Sequence, residues 1–228
     1  MSLLERGDDL AALTSALSAA ATGAGQIALV SGEAGIGKTT LVAELARKEG
    51  GRARILWGAC DPLLTPRPLG PLHDVARNGS PRLAAALSGS GGREAVFAAA
   101  LDDLQRGRPP ALLVIEDAHW ADEATLDFLR FIGRRIVRLP ALLVITFRDD
   151  ETGPTHPLRR VTGELPSGVT RRVRLRPLSP VAVGTLAREA GRAESELHAI
   201  TGGNPFFVTE LLAAGDEEGE VPVTVRDA

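Results

Sequence analysis

Apolar residues recur along this chain in two alternating rhythms. Leu10, Leu13, Leu17 and Ala20 fall at the spacing of one helical face, which predicts a helix over residues 8–21. Gln26 to Ser31 (QIALVS) is a short, continuous apolar run ended by a glycine cluster, the signature of a buried strand. A helix follows from about Lys38 to Lys48, with Leu41 and Leu45 on one face, and Ala53 to Trp57 reads as a second strand. Four prolines (Pro62, Pro66, Pro68, Pro71) exclude regular structure over residues 61–71. Ser88 to Gly92 reads as a flexible joint, and residues 93–105 are helical by pattern. Ala111 to Glu116 (ALLVIE) and Ala141 to Phe147 (ALLVITF) are further buried strands. Between them Asp122 is placed to cap a helix running to about Val137. Thr170 to Leu175 alternates as a fifth strand. From Ser179 onward the pattern is helical, broken at Gly202 to Pro205 before Phe206 to Ala214.

Strands that alternate with helices through residue 175 predict an α/β fold, a five-stranded, mostly parallel sheet sandwiched by helices in three layers and followed by a small helical subdomain. The expected division is an α/β domain over 1–177, a helical subdomain over 178–214, and an acidic tail over 215–228 that reads as the start of a truncated next element. In such sheets ligands sit beyond the carboxyl ends of the strands, so the polar residues after each strand are where chemistry is expected.

Composition narrows the function classes. Of 228 residues, 44% are hydrophobic and 24% charged, the balance of a globular chain. A net charge of −3 disfavours a globally basic nucleic-acid binder. The single cysteine, Cys60, excludes an internal disulfide and a cysteine-rich zinc module. With no apolar run of membrane-spanning length and no signal-peptide pattern, a cytoplasmic chain with no membrane partner is expected.

Directly after the first strand stands Gly32-Glu33-Ala34-Gly35-Ile36-Gly37-Lys38-Thr39, which matches the phosphate-loop pattern G-x-x-x-x-G-K-[ST]. Glycines let successive amides turn toward a phosphate, and the helix that begins there adds its unpaired N–H groups and positive dipole end. Gly32 through Thr39, with Thr40 behind them, are the expected nucleotide-binding residues. Lys38 supplies a cation for the β- and γ-phosphates, and the Thr39 hydroxyl is a Mg²⁺ ligand. The fold class is accordingly that of a P-loop NTPase. Lysine here stands out, because every other basic residue apart from Lys48 is arginine.

The ALLVIE strand ends in Glu116-Asp117, an acidic pair placed to hold Mg²⁺ and to polarise an attacking water. Glu116 is assigned to the metal side and Asp117 to water activation, with Asp117 kept as a further metal candidate. Aspartate reaches less far than glutamate, so hydrolysis is expected to be slow. Thr146 and Arg148 close the fourth strand. Arg148 is placed to sense a γ-phosphate if that strand lies between the first and third. His119 and Trp120 fit either a nucleotide-reporting switch or a packed loop corner. His73, His156 and His198 form no metal-ligand pattern.

Together these segments resemble the nucleotide-binding domain of STAND-class P-loop ATPases, and more closely the N-terminal ATPase domain of large LuxR-family (MalT-like) bacterial transcription regulators. The matching stretches are LLERGDDLAAL (3–13), GEAGIGKTTL (32–41), WGACDPLLTPRPLGPLHDVA (57–76), LLVIEDAHWADEATLDFL (112–129), LLVITFRDDE (142–151) and TGGNPFFVTELL (201–212). The resemblance implies ATP and ADP with Mg²⁺ as ligands, Arg6 near base and ribose, Pro205 near adenine, and Arg148 as the sensor arginine. It implies an ADP-held resting form, ATP-driven opening toward homo-oligomers, and further sensor and helix-turn-helix domains beyond these residues. Direct DNA binding by this segment is not expected. Glu116 departs from the aspartate usual at the metal-side position.

The residues are also compatible with two other functions. A P-loop small-molecule kinase would need a lid of arginines, for which Arg159 to Arg176 is available, although its alternation suggests a strand with solvated charges. A scaffold held together by bound ADP would never turn over. The guanine-reading N-K-x-D motif of a GTPase is absent.

Overall fold

The computed structural model describes residues 3–192 and 196–214. Five strands, β1 (Gln26–Ser31), β2 (Arg54–Ala59), β3 (Ala111–Glu116), β4 (Ala141–Phe147) and β5 (Thr170–Arg174), form one sheet in the order β2-β3-β4-β1-β5. Every neighbouring pair is parallel. Parallel pairing demands crossovers that cover both faces with helices, which is why β1, β3 and β4 are apolar along their length rather than alternating.

The two faces can be followed residue by residue. Ala28, Val30, Leu112, Val114, Leu142 and Val144 pack under α1 (Gly7–Ala21) and α2 (Lys38–Glu49), through Leu13, Leu17, Leu41 and Leu45. Ile27, Leu29, Leu113, Ile115, Leu143 and Ile145 face the opposite layer. That layer comprises α3 (Gly70–Arg77), α4 (Pro81–Ser88), α5 (Gly92–Gln105), α6 (Glu123–Gly133) and α7 (Pro157–Glu164). Its centre is the fully buried Phe128, whose ring meets Phe97 edge-on at 5.5 Å. β5 is an edge strand in which Val173 alone is buried, so its arginines stand in solvent.

After β5, α8 (Pro180–Glu189), α9 (Leu197–Thr201) and α10 (Pro205–Ala213) gather a separate apolar cluster of Leu178, Ala182, Val183, Ala187, Leu197 and Val208. The acidic tail expected over 215–228 lies outside the described residues.

The structure departs from the sequence pattern in three places. The proline-rich stretch ends in a helix, because Pro71 sits in the first turn of α3, where its missing N–H costs no hydrogen bond. Gly58 on β2 allows this helix in, since a Cβ there would lie 2.0 Å from the Pro71 carbonyl oxygen. The helix capped by Asp122 stops at Gly133 rather than near Val137, and a 3-10 turn, Ile136–Arg138, follows it. The run Arg159 to Arg176 is not one strand. Its first part lies in α7, which starts at Pro157 with the His156 ring accepting from the Leu158 amide, and only Thr170–Arg174 is extended.

Candidate functional site

β1 ends at Ser31, and the chain then turns through Gly32, Gly35 and Gly37, all with positive φ (146°, 71° and 97°), before α2 begins at Lys38. Those backbone angles are open to glycine and strained for other residues. No side chain caps the first turn of α2, which leaves its amide donors available to an anion. The loop walls a crevice of about 420 Å³ lined by Ala34, Gly35, Ile36, Gly37, Lys38, Thr39 and Thr40 on one side. Asp117, Arg148, Arg6 and Pro205 also line it, and Leu3, Leu4, Leu178, Leu186, Phe206 and Thr209 form an apolar end. Gly32 and Glu33 take a different place: their carbonyls each accept from Lys38 Nζ at 2.8 Å. Burial, with the like charge of Arg148 adding to it, pushes the Lys38 ammonium below the usual lysine range against the opposing pull of Asp117.

Glu116 closes β3 beside this loop and is held at both oxygens. Thr39 Oγ1 donates to Oε1 at 2.6 Å, and the indole N–H of Trp57 donates to Oε2 at 2.8 Å. Asp117 has left-handed backbone angles (φ 50°), and its amide donates to Thr146 Oγ1 at 3.0 Å. β4 does lie between β1 and β3, so the Thr146–Arg148 strand end sits between the loop and the acidic pair. Arg148 forms an ion pair with Glu151, and its guanidinium lies 5.1 Å from the Trp120 ring centroid. His119 is buried in a 3-10 turn, Ala118–Trp120, and neither of its ring nitrogens has a hydrogen-bond partner. Burial holds its pKa below the usual histidine range.

Arg6 and Pro205 both reach the crevice, but Arg6 also acts as a strut. It is 5% exposed, and its guanidinium donates to the carbonyls of Ile36 (3.3 Å) and Arg176 (2.7 Å), tying the loop to the chain after β5. None of the arginines between Arg159 and Arg176 lines the crevice, which leaves the sequence-based kinase lid without support among the described residues.

Three contributors escaped the sequence reading. Trp57 points at Glu116 because β2 pairs with β3 in a register that sets Ala59 opposite Glu116, a relation no local pattern encodes. Asn204 hooks the loop from outside: its Nδ2 donates to the Ala34 carbonyl at 2.8 Å, and its Oδ1 accepts from the Phe206 amide. Glu151 holds Arg148. The asparagine carried a signal, its place after two glycines and before a proline, the others none.

The donor set suits a small hard cation that completes its shell with substrate oxygens. Thr39 hydroxyl and Glu116 carboxylate are adjacent, and no cluster of three or more His, Cys, Asp or Glu forms a cage among the described residues.

A family model described as an AAA ATPase domain matches residues 2–145. An uncharacterized protein of Rhizobium meliloti (strain 1021) is 28% identical over 277 aligned positions, covering 98% of this chain and 26% of its own length. This chain therefore spans about a quarter of that relative. Among solved structures, Cdc6p of Pyrobaculum aerophilum matches with a TM-score of 0.65 at 18% identity, covering 93% of this chain and 61% of that one. A Signal Transduction ATPase with Numerous Domains (STAND) protein with a tetratricopeptide repeat sensor, from Pyrococcus horikoshii, matches with a TM-score of 0.53 at 19% identity, covering 92% of this chain and 30% of that one. At such identities the structural matches speak to the fold. No helix among the described residues is long and apolar enough to cross a membrane.

Proposed function

The chain belongs to the AAA ATPase domain family, and on that premise we propose that it is an ATP/ADP-binding switch with slow Mg²⁺-dependent hydrolysis, working within a signal-dependent transcription regulator of the LuxR-family, MalT-like kind. The observation that carries the nucleotide reading is the union of a glycine-turned loop and a buried Lys38 on one crevice wall with a Thr39 hydroxyl that reaches Glu116 behind it at 2.6 Å. The regulator reading is supported by the resemblance of the HWADEATLDFL and GGNPFF segments.

Each residue then has a task. The amides of residues 34–39 and Lys38 hold the phosphates. Thr39 and Glu116 hold Mg²⁺, which neutralises phosphate charge when bound. Asp117 orients a water and accepts its proton, and its short side chain keeps turnover slow. Arg148 meets the terminal phosphate. The apolar end formed by Leu3, Leu4, Leu178 and Phe206 receives the base beside Pro205. The division into an α/β domain over 1–177 and a helical subdomain over 178–214 fits this scheme, since α10 and the loop before it close one side of the crevice.

Calorimetric titration with ATP and ADP tests the reading. The wild-type chain should bind both with Mg²⁺, and Lys38→Ala should lose binding while keeping its circular dichroism and melting curve. Nucleotide released on denaturing the purified chain, identified by chromatography, reports the resting occupant. Wild-type affinity in Lys38→Ala overturns the role given to that lysine.

A further inference from the structure

The strand-end arginine of the crevice is held by a partner that the proposed function does not use. Glu151 lies three residues beyond Arg148 and forms an ion pair with it through Oε1. The connecting turn is fixed, because the buried Thr152 hydroxyl donates back to the Arg148 carbonyl at 3.0 Å. The other carboxylate oxygen, Oε2, faces Nε2 of the buried His119 at 3.6 Å. The opposite nitrogen of that ring, Nδ1, faces Asp117 Oδ1 at 4.0 Å. Trp120 presents its ring to the Arg148 guanidinium. Arg148 thus lines the crevice while its charge is taken up by Glu151 and the indole.

We propose that Glu151 is a specificity-determining latch, holding Arg148 against Trp120 and yielding it to the terminal phosphate of a triphosphate, so that it sets how strongly the site distinguishes ATP from ADP. This rests on the reading of the crevice as an ATP/ADP site. An arginine already paired must break that pair before it can serve a ligand, and a ligand that needs it binds more weakly by the fraction of molecules in which it is free. A diphosphate, one phosphoryl group shorter, makes no such demand, so the latch acts on one ligand and not on the other. Glu151 is well suited to this because its side chain is 38% exposed, which makes the pair weak enough to exchange. A multiply charged phosphate offers the guanidinium more acceptor oxygens and more charge than one carboxylate does. His119 stands behind Glu151 as a polar wall with both nitrogens unpartnered, ready to receive the carboxylate once the arginine leaves.

The test compares wild type, Glu151→Gln, Arg148→Ala and the double variant. Calorimetry with Mg²⁺ measures affinity for ADP and for a non-hydrolysable ATP analogue, and thermal melting confirms folding. Glu151→Gln should tighten the triphosphate about fivefold and leave ADP within about twofold. In the Arg148→Ala background the same substitution should change neither. A second readout uses the wild-type chain labelled with 5-fluorotryptophan, whose two resonances belong to Trp57 and Trp120 and are assigned with Trp57→Phe. The Trp120 resonance should move with the triphosphate and stay put with ADP. An unchanged ratio of affinities in Glu151→Gln, or equal Trp120 shifts with both ligands, overturns the latch and leaves the nucleotide site standing. A wild-type chain that binds neither ligand overturns both.

Discussion

Trp57 donates its indole N–H to Glu116 Oε2 at 2.8 Å across the β2–β3 pairing, while Thr39 donates to the other oxygen of the same carboxylate at 2.6 Å. The carboxylate is therefore held at both oxygens by donors from different elements. Glutamate has one more rotatable bond than aspartate, so Trp57 compensates for the longer side chain at the position assigned to the metal.

Removing that indole donor should loosen the metal side of the site without touching the phosphate loop. Trp57→Phe keeps an aromatic ring against the sheet and loses the hydrogen bond, which to a charged acceptor is worth roughly 1.5–3 kcal/mol. Part of that is recovered by water, so the expected outcome is about a tenfold weakening of ATP binding in the presence of Mg²⁺. Binding measured in chelator should change by less than about twofold. Calorimetry under the two conditions separates the effects, and an equal loss in both would assign Trp57 a packing role instead.

The loop is braced from outside by the turn that precedes α10. A Cβ added at Gly35 would come within 2.7 Å of Phe206 Cβ and 2.9 Å of Asn204 Oδ1, and Gly35 also has φ 71°. Gly35→Ala is therefore expected to push this turn away from the loop and to cost about 1–3 kcal/mol of stability through backbone strain. Asn204→Ala removes both the bond to Ala34 and the cap on α10, an expected loss of about 1–2 kcal/mol. Urea denaturation measures both losses, and both variants should also bind nucleotide more weakly. Full stability in Asn204→Ala would show that the loop stands without its brace.

How much of the fold and the site the sequence makes legible follows from the range of the forces involved. β3 and β4 were legible to the residue, because a strand buried on both faces in a parallel sheet must be apolar throughout and its ends are set by the polar residues of the site. The loop was legible because phosphate geometry dictates its glycines and lysine over consecutive positions. α3 and α7 were obscured because proline carries opposite meanings at a helix start and within an element: the close approach of Pro71 to Gly58 marks the start of α3, and the His156 cap on the Leu158 amide marks that of α7. Arg6 illustrates the remaining gap. Its expected place beside the ligand follows from resemblance, while its bond to the Arg176 carbonyl joins residues 170 apart in sequence and exists only once β5 has docked beside β1.

Cys60 offers a readout of folding that is independent of any ligand. It follows β2, its amide donates to the Glu116 carbonyl at 2.9 Å, and it is 5% exposed. Burial, reinforced by the nearby carboxylates of Asp122 and Asp117, pushes its thiol from the ordinary 9.0 up to about 12. The unfolded chain releases this proton near pH 9 and the folded chain keeps it, so between pH 9 and about 12 the folded state binds more protons. Stability contributed by this group is constant below pH 9 and falls as pH rises through that window, with a limiting slope of about 1.4 kcal/mol per pH unit. Cys60→Ala should be less stable than wild type by a fixed amount from pH 7 to 8.5, and the two curves should converge by pH 10 in urea titrations. In parallel, iodoacetamide at pH 8 should label the native thiol far more slowly than the urea-unfolded one. Equal labelling rates in the two states would show that this thiol is not held protonated by the fold.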